Sequence, residues 1–216
     1  MCTLIVRTGR PLTLMGVRDE FTDRPWEGPA EHWPEYPGVV GGRDLKAGGT
    51  WLAVNAAARR AAALLNGRGR PAPERTKVSR GDLALRAAYT GEGPGGDLSR
   101  YDPFHLVLAT LERVRLWSWD GERLTTSDLP EGTSMVVNDG LDPGNARVLA
   151  YLPRFAAAAT WGELAAAEPS ADPGALIVRH ELPDGRTFAS LSVMEVALSP
   201  DGVAYDFTDL TAERDG

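Results

Sequence analysis

Cysteine is nearly absent from this 216-residue chain: there is one, at position 2. A single cysteine forms no internal disulfide, so the fold does not require an oxidising compartment. Histidine is scarce too. The three present, His32, His105 and His180, lie far apart in sequence and offer no metal-ligand spacing. No apolar run approaches the ~20 residues needed to cross a bilayer, and the start of the chain lacks the basic and then apolar pattern of a signal peptide. The expectation is a cytoplasmic protein without a membrane span or a bound metal. Positive charge is also short, 23 basic against 30 acidic residues for a net charge of −7. Such a surface argues against nucleic acid or an anionic membrane as the main partner. The glycine pairs 41–42, 48–49 and 95–96 do not form a phosphate-binding motif and read as turns.

What is there is ordinary for a globular chain, 43% hydrophobic and 25% charged. The length fits one large domain over residues 1–216, with 209–216 a charged, frayed tail. Met1-Cys-Thr-Leu-Ile-Val6 reads as a strand, and Leu12 to Phe21 as its partner across a Gly9-Arg-Pro11 turn. Residues 24–38 are rich in proline and tryptophan without a regular period, and read as a loop that walls a pocket or crosses the surface. Gly41 to Asp44 reads as a turn, followed by a strand ending at Asn55. Arg59 to Leu65 reads as a strand stopped at Asn66-Gly67, with helix an alternative because alanine is the best helix former. Ser79 is placed to cap a helix through Tyr89. Four short strands follow between Phe104 and Asn138, then helix over Ala146 to Ala158, a shorter helix opening at Thr160, and a closing hairpin, Thr187–Leu198 with Val203–Phe207. Trp117 and Trp119 share a strand face and read as packing. Strands at both ends with helices between them imply an α+β domain of two sheets faced by helices.

The position of Cys2 gives it chemical interest. Removal of the initiator methionine would leave Cys2 as the first residue, with a thiol and a free α-amine on one residue. An α-amine titrates near pH 8 and is partly unprotonated at neutral pH, so the nucleophile carries its own general base.

Five stretches carry a resemblance. These are Met1-Cys-Thr-Leu-Ile5; Arg18-Asp-Glu-Phe21 with Arg24-Pro25; Gly42-Arg-Asp44; Gly49-Thr-Trp-Leu52 with Asn55; and Ser79-Arg-Gly81. Together, in order over most of the first 85 residues, they resemble the NRDE family, also called the transport and Golgi organisation protein 2 family. That family is similar at a distance to the choloylglycine and penicillin V hydrolases. In the motif that gives the family its name, Val17 stands in place of asparagine. The resemblance implies an αββα four-layer sandwich of two mostly antiparallel sheets flanked by helices, of the N-terminal nucleophile type, with Cys2 as nucleophile. It implies an arginine beside the cysteine, matched by Arg18. It implies an aspartate holding the α-amine, which is matched only by the neighbouring Asp19 because Phe21 stands at the expected place. Asn55 and Asn138 resemble the asparagines that line the site, as donors to an oxyanion. A further arginine is expected, either Arg147 or Arg154.

Two functions are consistent with this. The first is a hydrolase of a C–N amide bond, with a small-molecule substrate and no cofactor. The second keeps the fold without the chemistry, as a carrier of haem cargo or of a lipid or acyl-CoA ligand. For haem, Cys2, His32 and Tyr36 are the ligand candidates nearest the site in sequence.

Overall fold

The computed structural model describes residues 2–211, and for Cys2 the backbone alone. The expected tail from 209 falls largely outside the described residues, although Asp209 closes a strand and the Leu210 N–H donates to the Leu191 carbonyl at 2.9 Å.

Among the described residues thirteen strands build two antiparallel sheets. The six-stranded sheet centres on β1 (Cys2–Arg7) and β2 (Leu12–Phe21). Either side lie β10 (Thr133–Val136) and β12 (Thr187–Ser199), in the order β10-β1-β2-β12. The free edge of β12 carries β11 (Arg179–Glu181) and β13 (Gly202–Asp209). The seven-stranded sheet is a meander: β3 (Trp26–Ala30), β4 (Val39–Asp44), β5 (Leu52–Asn55), β6 (Arg60–Asn66), β7 (Phe104–Ala109), β8 (Val114–Trp119) and β9 (Leu124–Asp128).

Alternation along the strands explains the layering. On β1 and β2, Leu4, Val6, Leu12 and Leu14 meet Leu52, Val54, Ala63 and Leu116 of the other sheet in a central core. The intervening Ile5, Met15 and Val17 point the opposite way. They pack against Val148 and Phe155 of α2 (Ala146–Ala157) and Ala165 of α3 (Gly162–Ala165). The outer face of the meander is covered by α1 (Gly81–Thr90) through Leu83, Ala84 and Ala87, with Trp119 in the same cluster. Three apolar interfaces between four layers make an αββα sandwich.

The structure departs from the sequence reading in three places and decides one alternative that the sequence left open, strand over helix at residues 60–66. The Pro/Trp-rich stretch contains strand β3, and Gly41 to Asp44 is strand β4 rather than a turn. Residues 60–66 are strand, so the alanines there are helix formers overruled by burial between neighbours on both sides. Arg80, not Ser79, occupies the N-cap of α1; the Ser79 hydroxyl accepts from the Gly81 N–H at 3.2 Å.

Candidate active site

Arg18 lies on the inward side of β2, 3% exposed although charged. Three features hold it there. Its guanidinium stacks over the Trp51 ring at 4.3 Å and lies 5.7 Å from Trp26. Its Nη2 is 3.5 Å from Asp44 Oδ2. Asp44 in turn is bonded by Arg24 and accepts from the Lys46 and Ala47 amides at 3.0 and 2.8 Å. Burial raises the Asp44 carboxyl, but the Arg24 hydrogen bond, the Ala47 amide and the two guanidinium charges outweigh it and hold the group below its usual range. A buried arginine with aromatic faces and a fixed carboxylate is an oriented positive charge.

The glycine-rich motifs build this cluster. A Cβ at Gly42 would run into the Trp51 indole. One at Gly49 would stand 2.5 Å from Gly81, where the start of α1 comes close enough for the Thr50 N–H to reach the Gly81 carbonyl at 3.2 Å. The cluster opens on a cavity of about 410 Å³, within the size range of small-molecule sites. Leu64, Asn66, Lys77, Ser79 and Arg80 form its other walls.

Cys2 takes the register position opposite Arg18. The β1–β10 register pairs Leu4 with Val136. β10 ends at Val136, and Asn138 lies two residues beyond the last pair of that register. Across the sheet the row runs Cys2, Arg18, Ser192. Asn138 sits in the turn that closes through the Val137–Gly140 bridge. Its carbonyl is 3.1 Å from His105 Nε2, and His105 Nδ1 is 2.8 Å from Ser118 Oγ. Burial lowers the His105 pKa against the pull of the Asn138 bond and Asp139. The ring is therefore a neutral clasp between the two sheets. Nothing in the sequence joins His105 to Asn138, which stand 33 positions apart. Ser192 was likewise missed: it is fully buried beside Arg18, and its hydroxyl has no partner among the described residues.

Asp19 faces the other way, as strand alternation dictates for the residue after Arg18. Its carboxylate meets Arg147 Nη1 at 3.0 Å and accepts from Ser190 Oγ at 2.7 Å; the same Arg147 nitrogen donates to Thr3 Oγ1 at 2.7 Å. Arg147 also donates to the Pro173 carbonyl at 3.3 Å. Burial pushes the Asp19 carboxyl above its usual range, and Arg147 and the Ser190 hydrogen bond pull it part of the way back. Of the two expected arginines, Arg147 is the enclosed one, 1% exposed; Arg154 is exposed over the Tyr151 ring.

Asn55 is not brought to this group. It ends β5 four residues beyond Trp51, about 13 Å along the strand, and its Oδ1 accepts from the Ala58 N–H at 3.1 Å. It closes a turn, the ordinary work of asparagine at a strand end. His32 and Tyr36 are also engaged elsewhere: His32 Nε2 with the Gly28 carbonyl at 2.8 Å, and the Tyr36 hydroxyl donating to Asp82 of α1 at 2.6 Å. No group of three His, Cys, Asp or Glu side chains among the described residues is placed to hold a metal. No helix among them is long and apolar enough to cross a membrane.

The molecule is thus an αββα sandwich with a charged cavity at the Arg18 end of its two central strands. The family model of Transport and Golgi organisation 2, TANGO2, matches residues 1–162, and the chain belongs to that family. No curated protein matches the sequence. Among solved structures the chain is similar to penicillin V acylase from Agrobacterium tumefaciens, at 12% identity and a TM-score of 0.47, over 98% of this chain and 86% of that one.

Proposed function

We propose that the protein is a cysteine amidohydrolase acting on a C–N amide bond, with Cys2 as nucleophile once Met1 has been removed. The observation that carries this reading is the register position of Cys2 opposite Arg18, whose buried, fixed guanidinium lines a cavity of about 410 Å³. A fixed positive charge favours thiolate over thiol and raises the nucleophilic fraction near neutral pH.

In this mechanism the α-amine of Cys2 takes the thiol proton, the resulting thiolate attacks the amide carbonyl, and the ammonium passes the proton to the leaving nitrogen as the C–N bond breaks. Asn138, in the turn just beyond the strand that pairs with β1, donates to the developing oxyanion. Water then releases the acyl group. Asp19 and Arg147 act from behind: by tying β1 at Thr3, β2, β12 at Ser190 and α2 together, they fix the strand end that presents Cys2. The polar, charged lining of the cavity favours a polar amide over haem or an acyl chain.

The test is hydrolysis of a panel of small amides by the mature protein and by Cys2→Ala and Asn138→Ala. Cys2→Ala is expected to abolish turnover. Asn138→Ala is expected to lower kcat about 100-fold or more. Full turnover by Cys2→Ala would overturn the reading.

A further inference from the structure

A second cavity lies on the opposite face of the six-stranded sheet from Arg18. It encloses about 560 Å³ between the sheet and residues 162–169, a volume suited to a small molecule. Its floor is apolar: Met15 of β2, Val193 of β12, and Ile177. At the edge of this floor the sheet sets two carboxylates, a half-buried one and an exposed one. Glu195 and Asp206 are direct partners in the β12–β13 register and both line the cavity, with Glu168 on the wall. Like charges placed opposite each other on neighbouring strands destabilise a sheet. Burial, and then the charge of Asp206, push the Glu195 carboxyl above its usual range.

Neither carboxylate has an ion pair among the described residues. Arg7 acts on Glu195, but its guanidinium is taken up by the Phe155 and Ala158 carbonyls and the Trp161 ring. The Arg18 cavity is different: there Asp44 is matched by Arg24 and Arg18, and Asp102 by Lys77. Among the described residues, the carboxylates of one cavity are matched by cations and those of the other are not.

We propose that the outer cavity binds an amphipathic organic cation, with a primary ammonium or guanidinium head between Glu195 and Asp206 and an apolar body against Met15, Ile177 and Val193. The walls select this class. No aromatic side chain lines the cavity among the described residues, so there is no cation–π cage of the kind that holds quaternary ammonium groups. Paired carboxylates favour a head that donates N–H hydrogen bonds. The apolar floor disfavours a bare hydrated ion, which would have to shed water against it.

The experiment titrates hexylamine, hexanol and hexanoate into the full chain, read by calorimetry and by amide chemical-shift mapping. Hexylamine is expected to bind and to shift Val193, Glu195 and Asp206. Hexanol is expected to bind at least about tenfold more weakly and hexanoate more weakly still. The double variant Glu195→Gln/Asp206→Asn is isosteric and relieves a repulsion, so its melting temperature should equal or exceed the parent's. Its hexylamine affinity should fall about tenfold or more. Cys2→Ala should bind as the parent does, which separates this cavity from the reading at Arg18. The proposal is overturned by any of four results: no hexylamine binding at about 10 mM, equal affinity for hexanol, unchanged affinity in the double variant, or shifts that map to the Arg18 cavity.

Discussion

Arg18 and Asp19 are neighbours on one strand, both 3% exposed, and each belongs to a charged pair. The two pairs are built for different ends. Arg147 and Asp19 are sealed between the six-stranded sheet and α2, and Thr3, Ser190 and Pro173 complete their hydrogen bonding. Arg18 and Asp44 sit between the sheets, with tryptophan faces on one side and a cavity on the other. Strand alternation alone produces the separation. The sealed pair stabilises the strand end, and the pair at the cavity presents a charge.

The sharpest way to break this comparison is to remove one member of the sealed pair. Asp19→Ala leaves Arg147 charged and buried, and is expected to cost about 3–5 kcal/mol in urea denaturation. Next comes Gly49→Ala, whose methyl meets the backbone of Gly81. Separating the start of α1 from β5 should cost about 1–3 kcal/mol and loosen Trp51, seen as a change in tryptophan emission. Arg18→Met is expected to cost less than Asp19→Ala, because Asp44 keeps Arg24. It should nonetheless move the titration of the Cys2 thiol up towards its ordinary value near 8.5.

The smallest effect separates the pairs by sign. Asp44 has its carboxyl held below the usual value of 3.8. Its contribution to stability is present above that value and is lost as the pH falls through the lower, folded one. Asp19 is raised above 3.8 by burial, so its contribution is full below that value and is lost as the pH rises through the folded one. Across about pH 2 to 6, Asp44→Asn should flatten the acid loss of stability, and Asp19→Asn should steepen it. Equal slopes in the two variants would contradict the assignment.

Much of the architecture was legible in the sequence where pattern and burial agree. Leu12 to Phe21 and Thr187 to Leu198 read as strands, and alternating positions on both feed two different apolar layers. Strand β4 was not legible, since glycine at 41 and 42 has the look of a turn. Its glycines are there because Leu52 and the Trp51 indole come too close for a side chain. At the site, the place of Arg18 beside Cys2 followed from the resemblance. The choice between Arg147 and Arg154 did not, because helix phase relative to a sheet depends on packing that no local pattern encodes. Asn55 and Asn138 both end apolar runs, and only the fold shows that Asn55 closes a turn at the far end of β5 while Asn138 lies in the turn after β10.

The central claim is that Arg18 keeps an N-terminal thiol ionised. The chain has a single cysteine, so intact mass after brief iodoacetamide treatment over a pH series reports on that residue alone. The account predicts a mass lacking Met1, a single label, and a labelling midpoint below the ordinary thiol value of about 8.5. A retained Met1, or a midpoint at or above that value, would contradict it.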